Sequence, residues 1–496
     1  MLKMGITIKS RAAIVVGSPH LLKFTFLSEY SFCVGIIMLS QAIARDAMYD
    51  SAARYPPGKC HPGTREKVIA QILEWINNPE PDADVLWLYG AAGVGKSAIM
   101  QTIAEILREF YRERYAGGFF FASGVPGRGY GDALFSTLSY QIAMNLPFVR
   151  ELINSSMMAD PTLPTKSMDI QLQALIISPL LSSPHQPAHA PTIIIDGLDE
   201  CHEPAVQKAI LSLIANAKSR FPLPLRFLIA SRPEYWIRDS FNQQPLFDMT
   251  RRINLSESGD AFDDIKKYLQ DGFSKIYANN LDVMAMVQSP WPSSKVIDRL
   301  AQEASGQFIY ASTVLKFVGS SSLFRNPKHQ LEVICGAGPS RATALSDLDQ
   351  LYTKILSIYP RPDTLVRALA GIVILGPSSQ QAISYLMDIS PDELALILRA
   401  TSSLVGIFTI DEEVDDDDLD AIYRPDTQIK FYHLSTSDFL VDSNRSGPIY
   451  VNHQTSYDFI FRRCLNLCIR AFNGERDDEA MYVLYFTVFR LFIANS

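Results

Sequence analysis

The sequence has few cysteines, no excess of basic charge and no apolar run long enough to cross a membrane. Six cysteines in 496 residues, with no C-x-x-C pair, are too few and too scattered for a disulfide framework or a zinc site. We therefore expect a reducing, cytoplasmic location. Forty-five basic against fifty-three acidic residues give a net charge of −8, without the basic field typical of nucleic-acid binding.

The N-terminal segment is apolar but interrupted. Its longest clean apolar run, 32–39, is far shorter than the roughly 20 residues that span a bilayer. Basic residues ahead of it imitate the start of a signal peptide, but Pro19, His20 and Lys23 break the apolar stretch. We expect residues 1–50 to be a variable segment, either a docking helix or a leader, with a secretory or membrane role as the disfavoured alternative.

Short apolar runs alternate with helical patterns in the first half of the chain. The runs lack the period-two alternation of a half-exposed sheet, which predicts a parallel sheet covered by helices on both faces. The predicted strands are 85–89, 118–122, 192–196, 225–230 and 251–255. The first large unit is therefore predicted to be an α/β domain.

Beyond residue 256 the pattern is helical and ends in a small mixed unit. Helices near 379–387 and 391–401 precede two short strands, which is the order of a winged helix. An acidic run between those strands, 411–418, indicates a solvated loop because it lacks the spacing of a calcium-binding EF-hand. The expected units are an α/β domain at 51–255, an all-α domain at 256–345, a winged helix at 346–445 and C-terminal helices without repeats at 446–496.

A glycine-rich turn follows the first predicted strand and precedes a helical pattern. It matches G-x-x-x-x-G-K-[ST] without a mismatch. In such a turn, backbone N–H groups encircle phosphate oxygens and the helix N-terminus adds partial positive charge. The predicted nucleotide-binding residues are Gly90, Ala91, Ala92, Gly93, Val94, Gly95, Lys96 and Ser97. Lys96 would reach the β- and γ-phosphates, and the Ser97 hydroxyl would ligate Mg²⁺.

Candidate catalytic and metal-binding side chains follow two other predicted strands. Asp196 ends one strand, where a P-loop protein holds Mg²⁺, here through water. Asp199 and Glu200 are candidates to orient or deprotonate an attacking water, although capping of the next helix would also explain them. Arg232 follows the next strand and would sense the γ-phosphate, with a surface salt bridge as the alternative.

These motifs resemble those of NACHT-domain proteins of the signal-transduction P-loop ATPase (STAND) class, especially a fungal subgroup with a nephrocystin-like NACHT region. The specific shared pieces are the glycine-rich turn, Asp-Gly-Leu-Asp-Glu at 196–200 and Ser-Arg-Pro at 231–233. A lead-in at 60–65 and Gly-Gln-Phe-Ile-Tyr-Ala at 306–311 are also typical of that subgroup. The resemblance covers roughly 50–445.

The resemblance implies a nucleotide-binding domain, a helical domain and a winged helix that open and close as ADP and ATP exchange. Relatives place a histidine against the β-phosphate, in an H-x-S-x-x-[DE]-[FY] motif that matches 433–439, so His433 is carried over as a nucleotide contact. Thr436 stands where relatives usually have Phe. The Gly-x-Pro that stacks adenine in many relatives is absent at Gly306, and so are C-terminal repeats.

We expect a slow nucleotide-hydrolysing switch that uses ATP, or GTP as the alternative, together with Mg²⁺. Its opening would permit self-association and contact with unidentified protein partners. A scaffold that keeps one nucleotide without turnover stays open as a second hypothesis, and a small-molecule kinase is a less favoured third. Neither nucleic acid nor a membrane is expected as a partner.

Overall fold

The computed structural model describes residues 34–55, 58–125, 127–185, 187–256, 259–320, 326–336, 347–409 and 427–472. Its central element is a five-stranded parallel sheet with the order β2-β3-β4-β1-β5. The strands are β1 Val85–Tyr89, β2 Tyr115–Phe120, β3 Thr192–Asp196, β4 Arg226–Ser231 and β5 Thr250–Asn254. The second strand begins and ends earlier than its predicted 118–122.

The apolar runs form central strands because both faces of the sheet are covered. Ile193, Ile194 and Ile195 of β3 are all fully buried, although successive side chains of a strand point to opposite faces. Ile193 and Ile195 join one hydrophobic cluster and Ile194 joins another. The predicted parallel sheet with helices on both faces is confirmed.

Helices cover both faces of this sheet. They are α1 Val34–Gln41, α2 Glu66–Asn77, α3 Lys96–Phe110, α4 Leu134–Asn145, α5 Pro147–Ala159, α6 Met168–Leu172, α7 Ser178–Ser182, α8 Pro204–Arg220 and α9 Tyr235–Asn242. Gln173–Ile177 is a π-helical turn between α6 and α7. Helix α1 lies against α5, where the Ile36 N–H donates to Asn154 Oδ1 at 3.3 Å.

The remainder of the described chain is mainly helical. Its elements are α10 Ala261–Asn279, α11 Ser294–Glu303, α12 Phe308–Val318, α13 Pro327–Cys335, α14 Asp347–Leu356, α15 Pro362–Leu375, α16 Gln380–Met387, α17 Pro391–Ala400, β6 Val405–Thr409, β7 Thr427–Phe431, α18 Leu434–Leu440, α19 Ser443–Ser446 and α20 His453–Phe472. One hydrophobic cluster extends from Ile265 to Leu467. The antiparallel pair β6–β7 follows two helices in the order predicted for a winged helix.

Some expectations fall outside the described residues. These are the acidic loop at 411–418, the part of the predicted C-terminal helices beyond 472 and most of the segment 1–50. In the portions that the structure does describe, every helix is too short or too polar to cross a bilayer. The predicted domain limits stay predictions.

Candidate nucleotide site

Three of the predicted segments meet at one edge of the sheet. Strand β4 lies between β1 and β3, and all three run parallel. Their carboxyl ends therefore share an edge, which is where open α/β sheets bind ligands. The glycine-rich turn at 90–97, here called the phosphate loop, emerges there together with Asp196 and Arg232.

The backbone of the phosphate loop needs glycine at two positions. Gly93 has φ +77° and Gly95, which precedes α3, has φ +98°. Both values lie in the left-handed region that side chains with a Cβ rarely adopt. A Cβ on Gly93 would also lie only 2.2 Å from Cγ2 of Ile309. The loop is thus shaped by its glycines and closely covered on one side.

Lys96 begins α3 and folds back over the phosphate loop. Its Nζ donates hydrogen bonds to the carbonyl oxygens of Gly90 and Ala91, at 2.8 and 2.9 Å. Burial lowers the pKa of Lys96, while the nearby carboxylate of Asp199 opposes that shift. The ammonium group therefore lies at the loop, where a phosphate group could replace its carbonyl partners.

Asp196 has the surroundings expected of a residue that holds a metal ion. It is 4% exposed, and its Oδ1 has no hydrogen-bond partner among the residues that the structure describes. Burial raises the pKa of its carboxyl group, and a hydrogen bond with Ser97 lowers it. A buried carboxylate oxygen without a protein partner, next to a hydroxyl group, fits Mg²⁺, which takes few protein ligands beside water and phosphate.

Within the described residues no three or more His, Cys, Asp or Glu side chains gather into a metal site. A Mg²⁺ ion needs no such cluster, because it is usually held by one or two carboxylates and by its substrate's phosphates.

The two candidate water-activating carboxylates differ in their surroundings. The Asp199 carboxylate already binds Arg232, whose backbone N–H donates to Oδ1 at 2.9 Å and whose Nε lies 3.3 Å from Oδ2. Glu200 receives a long hydrogen bond from the Ser123 N–H, at 3.4 Å to Oε2. Burial, and then the charges of Asp199 and Asp196, raise the pKa of Glu200 to about 7. Glu200 is therefore the better placed to exchange a proton near neutral pH.

Residues from the lead-in and from α12 pack directly on the phosphate loop. The Ile309 N–H donates to the Gly93 carbonyl oxygen at 3.1 Å. Arg65 Nη2 donates to the Val94 carbonyl oxygen at 2.8 Å, and its guanidinium group lies 4.9 Å from the ring centroid of Phe308. These contacts join three segments that are far apart in sequence.

Sequence reasoning assigned no role to Arg65 or Ile309. The available signal was their position in the short motifs at 60–65 and 306–311. Phe308 stands at the position of the missing proline of the Gly-x-Pro motif. Its Cδ2 would lie 4.0 Å from a Cβ on Gly95. An aromatic side chain thus lies beside the start of α3.

His433 approaches the phosphate loop from the opposite end of the chain. It caps α18, and its Nδ1 accepts the Ser435 N–H at 3.1 Å. Its Cε1 would lie 3.9 Å from a Cβ on Gly93. Phe308, Ile309 and His433 therefore form a roof over the phosphate loop.

The protonation of His433 follows from these contacts. Burial, and then the positive charges of Arg232, Lys96 and Lys316, lower its pKa to about 4. The ring is neutral at pH 7, and Nδ1 is used as an acceptor, so the proton lies on Nε2. The structure brings His433, Arg232 and Lys96 together, while the chemical role of each predicted site residue stays a prediction.

Comparison with known families bears on the phosphate loop and the strand ends. Residues 63–232 match the family model described as "Nephrocystin 3, N-terminal". This region is therefore similar to the N-terminal region of nephrocystin 3. The match covers about a third of the chain, and the fungal subgroup stays a prediction. No curated protein sequence matches the chain.

Solved structures give weaker similarities. A STAND protein with a tetratricopeptide repeat sensor from Pyrococcus horikoshii has 11% identity and a TM-score of 0.41, over 86% of this chain and 47% of that one. The chain thus spans about half the length of that protein. The Aeropyrum pernix ORC1 protein in complex with DNA has 12% identity and a TM-score of 0.33, over 75% and 90% of the two chains. Drosophila ORC bound to GC-rich DNA and Cdc6 has 11% identity and a TM-score of 0.25, over 99% and 77%.

Proposed function

We propose that this protein is a nucleotide-binding molecular switch of the NACHT type. It binds ATP or ADP at the phosphate loop, hydrolyses ATP slowly and couples nucleotide exchange to opening and self-association in a signalling role in the cytoplasm. GTP is the alternative nucleotide. The observation that supports this most strongly is the position of His433, 3.9 Å from the Cβ position of Gly93, since it puts a second region of the chain at the phosphate loop.

The diphosphate form would be the compact form. The loop's N–H groups and Lys96 bind the β-phosphate, and the Nε2–H of His433 donates to it from the roof. A neutral histidine is suited to this contact because it donates one hydrogen bond at no cost in charge repulsion with Lys96. The diphosphate then stabilises the roof on the loop through its contacts with both.

Hydrolysis would depend on residues at the carboxyl edge of the sheet. Asp196 and Ser97 would hold Mg²⁺, which when bound would neutralise part of the phosphate charge. Glu200 accepts the proton of the attacking water once it is ionised, and Arg232 contacts the γ-phosphate. Asp199 keeps Arg232 in place through its two contacts with that residue.

The switch follows from a difference in affinity between the two forms. A ligand shifts such an equilibrium only as far as it binds one form more tightly than the other. The test is to identify any nucleotide that purifies with the protein by mass spectrometry, and then to compare size-exclusion profiles with ADP and with a non-hydrolysable ATP analogue, each with Mg²⁺. Identical profiles with both nucleotides would contradict the switch.

A scaffold that keeps its nucleotide without turnover is the second candidate. The half-buried Lys96 and the close roof over Gly93 favour slow exchange in either case. Measuring phosphate release by the wild-type protein and by Glu200→Gln separates the two proposals. Equal release would support the scaffold, and a strong loss in the variant would support the ATPase. A screen of phosphate acceptors tests the less favoured kinase hypothesis.

A further inference from the structure

Arg232 is held between two carboxylates from different parts of the chain. Besides its contacts with Asp199, its Nη1 lies 2.8 Å from Oδ2 of Asp438, a residue of α18. Asp438 is 206 positions away in sequence and lies in the helix that His433 caps. One guanidinium group thus links the carboxyl edge of the sheet to α18, the helix that carries the His433 of the roof at its start.

The surroundings of this ion pair make it specific. The side chain of Arg232 is 22% exposed and that of Asp438 34%, so solvent screens the pair only in part. Arg445 is another cation near Asp438, but its guanidinium group binds both carboxylate oxygens of Asp349, at 2.7 and 3.1 Å. Within the described part of the chain, Arg232 is therefore the cation that Asp438 contacts directly.

The two ends of this ion pair have opposite relations to a nucleotide. Arg232 follows β4 at the edge where the phosphate loop lies, and a terminal phosphate there would attract it. Asp438 and a phosphate are both negatively charged, so they compete for the guanidinium group of Arg232 and repel one another. A diphosphate does not add this competing charge.

We propose that Asp438 occupies the place of the terminal phosphate at Arg232, and so acts as a built-in anion that favours the diphosphate form. This inference rests on the proposed nucleotide-binding function. Binding of a triphosphate displaces Asp438 from Arg232, which releases α18 and, with it, His433. The contact therefore sets the preference between diphosphate and triphosphate, and Asp438 is a positioning residue that acts through Arg232.

The test compares the affinities of wild type and Asp438→Asn for ADP and for a non-hydrolysable ATP analogue, by titration calorimetry with Mg²⁺. We expect the ratio of the two affinities to shift toward the triphosphate by roughly tenfold, which is within the usual range of coupling between sites. Asp442→Asn is the matched control, because it removes a negative charge from the same segment while Asn still caps α19. It should leave the ratio unchanged.

A merely structural contact would change both affinities by the same factor, and that result would overturn the proposal. In an Arg232→Gln background, Asp438→Asn should have no further effect on the ratio. The double variant in which the charges are exchanged, Arg232→Asp with Asp438→Arg, should have the compact size-exclusion profile of the wild type. That profile should no longer change when the triphosphate is added. This second measurement stands even if Asp438→Asn folds poorly. If the wild type bound neither nucleotide, the proposed function itself would fail, which the wild-type titration shows separately.

Discussion

The carboxyl edge of the sheet and the roof are the two parts of the candidate nucleotide site, and they are built in different ways. The edge is built from short contiguous motifs at the ends of parallel strands, so its groups are fixed by the fold of the sheet. The roof reaches the same phosphate loop through a few contacts between distant parts of the chain, such as the Ile309 N–H to the Gly93 carbonyl. The edge is therefore suited to binding and chemistry, and the roof to a change of state.

The sharpest way to test the edge is through its proposed base. Glu200→Gln should lower the rate of ATP hydrolysis roughly 100- to 10,000-fold, because an amide cannot accept the proton of the attacking water. Nucleotide affinity should change little. Phosphate release under saturating ATP measures the effect, and Glu203→Gln, an exposed neighbour, is the control. A loss of less than tenfold would show that Glu200 is not the general base.

The pH dependence of the same reaction gives a second check. The pKa of Glu200 is raised to about 7, so the residue is protonated and inactive well below that pH and ionised above it. The wild-type rate should therefore rise with pH through about 7. The residual rate of Glu200→Gln should lack this rise.

The phosphate loop should depend on one ammonium group. Lys96→Ala should weaken nucleotide binding roughly 100-fold, since it removes charge-assisted contacts that together amount to about 3 kcal/mol. The fold should persist, because the hydrogen bonds of Lys96 with described residues go to loop carbonyls. Calorimetric titration with ADP measures this, with Lys208→Ala on the exposed face of α8 as the control. Unchanged affinity in Lys96→Ala would discredit the loop as a nucleotide site.

Much of the edge could be predicted from sequence because its signals are local. A strand, a glycine-rich turn and a helix in succession predict one geometry, and the carboxyl ends of parallel strands then bring Asp196 near it.

Helix α5 was not predicted, although Val149, Ile153 and Met157 recur every four residues and are all buried. The contact of Arg232 with Asp438 had no local signal, because it depends on how two distant segments pack.

A pair of glycine substitutions separates strain in the loop from contact with the roof. Ala at either Gly93 or Gly95 forces a residue with a Cβ into positive φ, which costs about 1–3 kcal/mol. Only Gly93→Ala also places a Cβ in collision with Ile309. Its free energy of unfolding should therefore be about 1–3 kcal/mol lower than that of Gly95→Ala. Urea unfolding without nucleotide measures both.

Ile309→Ala tests the reason for that difference. It removes Cγ2, which would lie 2.2 Å from a Cβ on Gly93, but keeps the Cβ that would lie 2.9 Å away, so the excess cost of Gly93→Ala should become smaller in this background. If the excess were just as large with Ile309→Ala, the roof would not lie on the loop in solution.

The smallest expected effect concerns the protonation of His433. Between its ordinary pKa of about 6.5 and its lowered pKa of about 4, the unfolded chain binds a proton that the folded chain does not. The stability present above 6.5 is therefore lost as the pH falls, by about 2 kcal/mol at pH 5. His433→Asn, which can still cap α18, should lose less stability between pH 7 and pH 5. Equal losses in urea unfolding would place His433 in contact with solvent.

The most direct test of the account is to count the nucleotide bound per chain. Wild type and Lys96→Ala are purified in parallel, incubated with ADP and Mg²⁺, freed of unbound nucleotide, and measured by mass spectrometry under native conditions. We expect one nucleotide on each wild-type chain and almost none on the variant. A wild-type chain that carries no nucleotide, or a variant that carries as much, would contradict the proposal that the phosphate loop and its roof enclose a nucleotide.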